Sequence, residues 1–297
     1  MKALLLLLAA AASLQAATPT PTRVLKLWEG KPPGDFTVPG PENITEPKPG
    51  DKLPILRLTN IAEPRLELYE PVKEKRNGGA VVIVPGGGFG MLASGHEGAD
   101  AAVWFRDRGF VAGVLQHRCP TNGLPDPAAL PAQDAQRAIS LVRSKAGELE
   151  LRPDRIGLFG FSAGGQVALT AASNAAERLY PTADKTDGTS CRPDFLMLLY
   201  PWRILAENSR TELKSQIRIT DQTPPCFIAQ AADDAASLPE GSVAAFLAMR
   251  KAGVPVELHI YATGGHGFGM IPSDQPAPTD WPGRAELWLK ARGLLPK

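Results

Sequence analysis

RIGLFGFSAGG, residues 155–165, joins a short apolar run to the pattern Gly-x-Ser-x-Gly, whose serine is Ser162. An apolar strand that turns sharply into a helix leaves such a serine hydroxyl exposed at the tip of the turn. Small neighbours are required there because two backbone segments lie close together. Ser162 is therefore the candidate nucleophile. Five common residues also meet this pattern by chance in unrelated chains, so the rest of the sequence has to support the assignment.

The sequence around this stretch alternates between two kinds of segment. Residues 66–69 alternate apolar and charged residues as a half-buried strand does. Further strands are predicted at residues 80–84, 110–115, 155–159, 195–200, 227–231 and 257–261, most of them apolar runs. Helices are predicted at residues 97–108, 131–145, 163–173, 241–252 and 281–292. Because parallel strands need crossover connections, this alternation predicts an α/β fold with a mostly parallel, doubly wound sheet and helices on both faces.

The first residues depart from this alternation. Met1 and Lys2 precede an apolar run at residues 3–12, which is typical of a secretory signal peptide and too short to span a bilayer. We predict a signal peptide at residues 1–17 and export of the protein to the periplasm or out of the cell. No later segment is apolar for long enough to form an anchor, so we expect no membrane association after the signal is removed.

The next segment, residues 18–63, is dense in proline and glycine, which opposes regular secondary structure. We predict that it forms an extended arm along the surface. The remaining residues, 64–297, are predicted to form a single α/β catalytic domain.

The charge of the chain gives no general attraction for nucleic acid. The 297 residues carry a formal net charge of +1. No run of basic residues is interleaved with aromatic residues, which nucleic-acid-binding surfaces commonly have. We therefore expect no nucleic-acid partner.

The three cysteines do not form a metal site or a full set of disulfides. Cys119, Cys191 and Cys226 cannot all pair within one chain, and none lies at the spacing of metal ligands. Cys226 lies in an apolar run and is expected to be a buried small hydrophobe. A disulfide between the other two cysteines stays open. We expect no bound metal.

Reactive side chains gather at the carboxyl ends of the strands in a doubly wound sheet. The positions that meet this criterion are Ser162, the adjacent Asp233 and Asp234, and His266 in a glycine-rich loop. A serine hydroxyl needs a base to accept its proton, and the imidazole needs a carboxylate that fixes its tautomer. The chain order is nucleophile, acid, histidine. Asp234 is favoured as the acid, and the choice against Asp233 stays open.

The other histidines lie in less suitable places. His259 lies inside a predicted strand between two apolar residues, which indicates packing. His117 adjoins Arg118 at a strand end, as a structural or pocket residue would. His96 precedes a predicted helix, where it either caps the helix or contacts substrate.

Ester hydrolysis passes through a tetrahedral oxyanion that backbone N–H groups stabilise. Gly86, Gly87 and Gly88 follow the strand predicted at residues 80–84 and can supply such groups, and Ala163, after the nucleophile, can supply another. The competing interpretation is a phosphate-binding loop, but the spacing G-x-G-x-x-G and a Lys-Ser/Thr pair are both missing. We therefore do not expect this loop to bind a dinucleotide or a phosphate.

Residues 201–225 are the least patterned part of the predicted catalytic domain. They include Trp202, Arg203, Arg210, Lys214 and Arg218. Solvated charge is the ordinary interpretation. The alternative is a rim that selects the substrate, in which Trp202 contacts a sugar or the arginines contact an acidic substituent.

Several longer motifs occur in order along the chain. They are VPGGGFG at residues 84–90, HEG at 96–98, PAQDAQRAI at 131–139, RIGLFGFSAGG at 155–165, RPDF at 192–195, AADD at 231–234 and GGHGFG at 264–269. In these motifs the chain resembles the α/β-hydrolase superfamily, and within it bacterial exported acetyl xylan esterases and feruloyl esterases. The resemblance covers most of the chain after the predicted signal peptide.

This resemblance implies the α/β-hydrolase fold and a serine carboxylesterase that removes acetyl or hydroxycinnamoyl groups from plant polysaccharide without a cofactor. The residues that it implies for the site are the triad Ser162, Asp234 and His266, and the oxyanion donors Gly87, Gly88 and Ala163. The substrate contacts expected beside them are Phe89, His96 and Trp202. The chain departs from the pattern at Pro85, where related esterases often have histidine, and at Phe89, where they often have tyrosine.

Two other functions stay open. One is a serine peptidase of the prolyl-oligopeptidase-like type, in which Gly-x-Ser-x-Gly-Gly also occurs, although the chain has no room for a propeller domain. The other is a non-catalytic binding protein on the same fold, against which the presence of serine, acid and histidine together argues. Under the esterase hypothesis, the partner is an acylated carbohydrate or a small ester.

Overall fold

A sheet of eight strands organises the part of the chain that the structure describes. The structure is a computed structural model that describes residues 19–47, 55–271 and 278–296, so the predicted signal peptide lies outside it. In spatial order the strands are β1 (Arg23–Lys26), β4 (Arg65–Tyr69), β7 (Val111–Gln116), β5 (Ala80–Val84), β8 (Ile156–Phe161), β9 (Phe195–Leu199), β10 (Cys226–Ala231) and β11 (Val256–Tyr261). From β7 to β11 in this order the strands run parallel, whereas β4 is antiparallel to both of its neighbours.

Helices cover both faces of this sheet. They are α1 (Asp100–Arg106), α2 (Ala129–Ser144), α3 (Ser162–Ser173), α4 (Pro239–Lys251) and α5 (Trp281–Ala291). α2, α3 and α4 pack in one apolar cluster, and α1 and α5 pack in the other. Along β5, Val82 and Val84 belong to the first cluster, and Val81 and Ile83 belong to the second. A strand buried on both faces explains the continuous apolar run, and the predicted doubly wound α/β fold is confirmed.

The strands and helices predicted from the sequence are present, with ends that differ by a few residues. The largest difference concerns the helix predicted at residues 97–108. There, a π-helical turn at Gly95–Ala99 precedes α1. Among the described residues, no helix is both long enough and apolar enough to cross a membrane.

The prediction that residues 18–63 lack regular structure is wrong for three short segments. β1 pairs with β4 and extends the main sheet. β2 (Asn43–Thr45) and β3 (Arg57–Thr59) form a small second sheet with β6 (Leu92–Ala93). Proline and glycine interrupt long elements, but strands this short depend on a partner strand that the local sequence does not reveal. The domain boundary at residue 63 stays a prediction.

The arm does not lie only on the surface, because Leu27 and Trp28 are buried. Trp28 Nε1 donates a hydrogen bond to Asp134 Oδ1 at 3.0 Å, and its ring packs edge-on against Tyr180 with 4.8 Å between ring centroids. The other oxygen of Asp134 accepts hydrogen bonds from Arg118 Nε at 3.0 Å and from the Arg118 backbone N–H at 3.1 Å. Since Asp134 lies on α2, these contacts fix the arm to the helices that cover one face of the main sheet.

The three cysteines are buried free thiols. The burial predicted for Cys226 is confirmed. The disulfide between Cys119 and Cys191, which the sequence left open, is not formed.

Candidate active site

Ser162 lies at the sharp turn between β8 and α3. Its φ of 50° is in the left-handed region, which costs a non-glycine residue about 1–3 kcal/mol. A Cβ atom at Gly160 would lie 2.3 Å from the carbonyl oxygen of Gly164, and one at Gly164 would lie 2.1 Å from that of Val84. This crowding explains why the turn requires glycine at both positions around the serine.

Three side chains form a continuous hydrogen-bonded chain at this turn. Ser162 Oγ lies 2.8 Å from His266 Nε2, and His266 Nδ1 lies 2.8 Å from Asp234 Oδ2. The serine follows β8, the aspartate follows β10 and the histidine follows β11, so all three lie at the carboxyl ends of parallel strands. With this geometry the imidazole can accept the proton of the serine hydroxyl.

Asp234 is held as a charged acceptor behind the histidine. Its side chain is fully buried, and its Oδ1 accepts hydrogen bonds from the backbone N–H groups of Ala236 at 2.9 Å and Ser237 at 2.7 Å. Burial raises the pKa of this carboxyl group, but the hydrogen bonds from His266 and the two amides outweigh burial and hold the pKa below its usual value. An ionised Asp234 favours the tautomer that carries hydrogen on Nδ1 and leaves Nε2 free to accept a proton.

Asp233 has a different environment. Its side chain is exposed, and its Oδ1 accepts a hydrogen bond from the backbone N–H of Gly265 at 2.8 Å. It therefore supports the loop that carries the histidine. The structure brings Asp234, and not Asp233, to the imidazole of His266.

The glycine loop after β5 has fewer free backbone N–H groups than the three that the sequence predicted. The N–H of Gly86 donates to Glu97 Oε2 at 2.9 Å and is therefore occupied. The N–H groups of Gly87 and Gly88 have no acceptor in the described part of the chain, and both residues line the cavity of the site. Their φ values of 129° and 62° are in the region that favours glycine. The candidate oxyanion donors are reduced to these two amides and that of Ala163, in the first turn of α3.

A cavity of about 290 Å³ opens beside the serine. Ser162, His266, His96 and Trp202 are among the residues that line it. Phe89, the third predicted substrate contact, does not line it and is 4% exposed, with 6.0 Å between its ring centroid and that of Trp202. The structure therefore brings His96 and Trp202 to the cavity and places Phe89 in the core.

A second group of buried polar side chains lies next to the triad, and sequence reasoning missed it. Glu97, whose Oε2 accepts from Gly86, also accepts at Oε1 a hydrogen bond of 2.9 Å from the hydroxyl of Tyr200. That hydroxyl accepts the N–H of Gly269 at 2.8 Å, and the tyrosine ring packs edge-on against His266. Burial, and next the charge of Glu97, raise the pKa of Tyr200 well above its usual value, so its hydroxyl stays a donor. These contacts connect the glycine loop to the histidine loop.

The remaining polar groups near the cavity do not form a metal site. His96 is buried, its Nδ1 has no hydrogen-bond partner among the described residues, and its Nε2 lies 3.7 Å from Glu97 Oε1. Within residues 19–47, 55–271 and 278–296, no group of three or more His, Cys, Asp or Glu side chains is arranged to hold a metal ion.

Comparison with known protein families gives two overlapping matches. The BD-FAE family model matches residues 66–195, and the model of the prolyl oligopeptidase family matches residues 132–276. The two matches share the segment that contains Ser162, and the second extends through Asp234 and His266.

Similar proteins include esterases and a xylan-related hydrolase. An acetylxylan esterase from Xylanibacter ruminicola is 29% identical over 237 residues, which cover 72% of this chain and 46% of that protein. The acetyl ester-xyloside bifunctional hydrolase from Caldicellulosiruptor lactoaceticus has 28% sequence identity and a TM-score of 0.72, with 94% of this chain and 99% of that chain covered. The propionate-bound esterase Est2 from Thermogutta terrifontis has 25% identity and a TM-score of 0.66, with 87% and 97% covered.

The curated relatives and the solved structures differ in how much of their own length this chain covers. The chain spans less than half of the length of the curated relatives it matches, 46% of one and 32% of the other. In contrast, it covers nearly all of the two solved structures.

Proposed function

We propose, from the premise that this chain is an α/β hydrolase, that it is a serine carboxylesterase acting on acylated plant polysaccharide such as xylan. The observation that carries the proposal is the hydrogen-bonded chain from Ser162 through His266 to Asp234 beside an open cavity. The names of the relatives support an acetylated xylan or xyloside as the substrate. The proposal includes export directed by residues 1–17, because a polymeric substrate stays outside the cell.

In the first half of the reaction, Ser162 Oγ attacks the carbonyl carbon of the ester while His266 Nε2 takes the hydroxyl proton. Asp234 stays ionised and stabilises the imidazolium cation that results. The bond from the carbonyl carbon to the alcohol oxygen then breaks, and the imidazolium gives its proton to the departing alcohol. The acyl group remains on the serine oxygen as an acyl-enzyme.

In the second half, a water molecule attacks the acyl-enzyme while the same imidazole takes its proton. The bond between the acyl carbon and Ser162 Oγ then breaks, the imidazolium returns its proton to Oγ, and the carboxylic acid leaves. Both halves pass through a tetrahedral oxyanion, to which the N–H groups of Gly87, Gly88 and Ala163 donate hydrogen bonds. Each such donor contributes about 3 kcal/mol to the stability of the transition state.

The size of the cavity supports a short acyl group. Its volume of about 290 Å³ lies just below the range for pockets that enclose small ligands, about 300–1,000 Å³. We therefore favour acetyl over the larger hydroxycinnamoyl groups as the acyl part of the substrate.

The test is a panel of three substrates with the purified protein. Acetate release from acetylated xylan, ferulate release from methyl ferulate and amine release from an aminoacyl anilide are measured side by side. We expect acetate release to have the highest kcat/KM. Turnover of the anilide alone would overturn the esterase proposal.

A serine peptidase is the second candidate, because the prolyl oligopeptidase family model matches residues 132–276. That match covers the segment with the triad, which acyl transfer to an ester and to an amide would share. The anilide in the panel decides between the two.

A binding protein without catalysis is tested separately by a fluorophosphonate probe, which reacts covalently with an activated serine. We expect one label per chain on Ser162. A folded protein that takes no label would favour the binding protein.

A further inference from the structure

A second cleft adjoins the cavity that holds the ester. Its volume is about 780 Å³, well within the range of clefts that hold small ligands. Ala236 lines both the cleft and the ester cavity. Trp202 lines the cavity, and the residue that follows it, Arg203, lines the cleft. A substrate whose ester lies against Ser162 can therefore extend into the cleft.

A short hairpin forms one wall of this cleft. The N–H of Ala206 donates to the carbonyl oxygen of Glu212 at 2.8 Å, and the N–H of Lys214 donates to that of Ile204 at 3.0 Å. This pairing places Lys214 across from Ile204 and therefore close to Arg203. Both cationic side chains line the same cleft.

Among the described residues, Arg203 and Lys214 lack an ion-pair partner of the kind that Arg210, the third cation of the cleft, has. Arg210 forms an ion pair with Glu240 at 2.9 Å. Neither Arg203 nor Lys214 has an acidic side chain within 4.0 Å in the described part of the chain, and Glu207 is the acidic residue that lines the cleft with them. The cleft therefore carries an excess of positive charge.

Arg203 and Lys214 occupy positions that cost free energy, through backbone strain in the first case and through burial and like-charge repulsion in the second. Arg203 has a φ of 51°, in the left-handed region, and its guanidinium lies over the ring of Trp202, 4.4 Å from the centroid. Burial is the main cause that lowers the pKa of Lys214, the charge of Arg203 lowers it further, and Asp126 raises it. An anion bound in the cleft would offset both the repulsion and the burial.

We propose that this cleft, the cationic cleft, binds a carboxylate on the alcohol side of the ester, so that the preferred substrate is an acetylated sugar chain that carries uronate groups. The inference rests on the proposed esterase function and specifies its substrate. A carboxylate matches the planar donor pattern of Arg203, and Lys214 supplies a second, compact charge.

The position of the cationic cleft indicates that it holds the alcohol part of the ester. His266 gives its proton to the departing alcohol, and Ala236, which the two spaces share, donates its backbone N–H to Asp234 behind that imidazole. The acyl group occupies the smaller cavity. A sugar ring and its substituent therefore extend from the histidine side of the site into the cationic cleft.

The experiment compares two matched esters, a mono-O-acetyl methyl glucuronide and the corresponding glucoside, in which CH2OH replaces the carboxylate. We expect kcat/KM of the wild type to be about three- to tenfold higher for the glucuronide at low ionic strength. The ratio should shrink as salt is added, because the cations are partly exposed. A ratio of one or less would overturn the proposal.

Variants assign the effect to the two cations. Arg203→Gln and Lys214→Gln should each lower the glucuronide-to-glucoside ratio, and the double variant should bring it close to one. Arg218→Gln is the matched control, since Arg218 is an exposed arginine of the same stretch that does not line the cleft. Thermal unfolding checks that each variant is folded. A ratio that persists in the double variant would contradict the assignment.

Two further measurements separate this proposal from a carboxylate site on the acyl side and from a failure of the esterase proposal. Para-nitrophenyl hemisuccinate carries its carboxylate on the acyl side, and a preference for it over the acetate, with none for the glucuronide, would overturn the alcohol-side assignment. No turnover of any ester, para-nitrophenyl acetate included, would contradict the esterase proposal alone. Calorimetric titration with a glucuronate-bearing xylo-oligosaccharide and its neutral counterpart then still tests the cleft, and equal affinities would overturn it.

Discussion

The strained backbone of Ser162 keeps its hydroxyl in one place. The φ of 50° is maintained by the close packing of Gly160 and Gly164 and by the carbonyl of Ser162 itself, which accepts the N–H of Trp202 at 2.8 Å. Strained residues of this kind persist where their surroundings fix them, and they cluster at functional sites. The hydroxyl therefore faces His266 without first having to be ordered by a substrate.

Ser162→Ala should abolish most of the esterase activity and leave the fold intact. Without the hydroxyl no acyl-enzyme forms, so kcat/KM should fall by about 10⁴- to 10⁶-fold. The melting temperature should change little, because alanine fits the same turn. Acetate release and thermal unfolding are the measurements. Activity near that of the wild type would show that another residue is the nucleophile.

Asp233→Asn and Asp234→Asn form a matched pair with different expected outcomes. The Asp234→Asn variant lacks the negative charge that fixes the tautomer of His266, so its kcat should fall by about 10⁴-fold. At position 233 the amide oxygen of asparagine can still accept the N–H of Gly265, so kcat should stay within a few-fold of the wild type. Steady-state kinetics of both variants identifies the acid of the triad. A larger fall in kcat for Asp233→Asn than for Asp234→Asn would exclude Asp234.

Tyr200→Phe should lower the free energy of unfolding by about 1–3 kcal/mol. The change leaves Glu97 without a donor at Oε1 and the N–H of Gly269 without an acceptor, both of them buried. Tyr261→Phe is the control, because the hydroxyl of Tyr261 has no hydrogen-bond partner among the described residues, and its loss should be neutral. Urea unfolding measures both variants. Equal losses of stability would mean that the Tyr200 hydrogen bonds contribute nothing specific.

The difference between Ser162 and Glu97 shows what sequence reasoning reaches at this scale. Ser162 lies in a local pattern with a mechanical cause, so five residues marked it as a candidate, and the motifs elsewhere in the chain supported the assignment. Glu97 meets Tyr200 across 103 positions of the chain, and no local pattern encodes that contact. The same contact network occupies the amide of Gly86, which the sequence could not separate from those of Gly87 and Gly88.

At the scale of elements, α2 connects parts of the fold that are distant in sequence. Arg137 of α2 is almost fully buried and donates hydrogen bonds to the side chain of Asp184, to Asp187 Oδ1 at 3.0 Å and to the carbonyl oxygen of Leu27 at 2.9 Å. The helix thus holds the arm and the loop around residues 184–187 to the same side of the sheet. The positive charge of Arg137 is compensated by the carboxylates of Asp184 and Asp187.

This connection should make stability depend on pH. The side-chain hydrogen bond from Arg137 is the main cause that lowers the pKa of Asp184, from 3.8 to about 2. Because the pKa is lower in the folded state, the contribution to stability is complete above about pH 4 and is lost as the pH falls toward 2. At about 1.4 kcal/mol per pKa unit, and with Asp184 partly exposed, we expect a loss of about 1–2 kcal/mol.

The measurement is urea unfolding of the wild type and Asp184→Asn between pH 5 and pH 2.5. The advantage of the wild type over the variant should disappear as the pH falls. Asp221→Asn serves as the control, since Asp221 is exposed and has no cationic partner within 4.0 Å among the described residues. A constant difference between wild type and Asp184→Asn across this range would contradict the prediction.

Elements were predictable where burial on two faces left a long apolar run. β5 and β9 are buried along their whole length, and each was found from such a run. β1 and β2 were not, because their stability comes from pairing with other strands, β4 and β3, which their own sequences do not reveal. Likewise, the π-helical turn before α1 depends on the contacts of Glu97 and was predicted only as helix.

For the molecule as a whole, the three thiols should be inert to oxidation. Burial raises the pKa of Cys119 to about 12 and also raises those of Cys191 and Cys226. The reactive thiolate is therefore scarce at neutral pH. Burial of all three thiols thus protects the protein from disulfide exchange.

The prediction has two readouts. The folded protein should react slowly with a thiol reagent and expose all three thiols in denaturant, and its melting temperature should be the same with and without a reductant. A lower melting temperature in reductant would reveal a stabilising disulfide, in conflict with the structure.

The fold class could be predicted because the alternation of buried strands and helices extends over the whole catalytic domain. The rule that reactive groups lie at the carboxyl ends of parallel strands pointed to Ser162, to the pair Asp233 and Asp234, and to His266, but it could not choose between the two aspartates. The cationic cleft could be foreseen only as an unpatterned, charged stretch, since the hairpin that pairs Lys214 with Ile204 has one isolated bridge and little periodicity. Export from residues 1–17 stays a prediction.

The order of the three site residues along the chain has a consequence for biosynthesis. Ser162 is translated well before Asp234, and His266 follows β11, the last strand that the structure describes and an edge of the sheet. A ribosome that stalls between codons 162 and 266 therefore produces a polypeptide with the proposed nucleophile and no base to activate it. Hydrolytic activity in a cell extract would thus report only chains whose synthesis has passed the final strand.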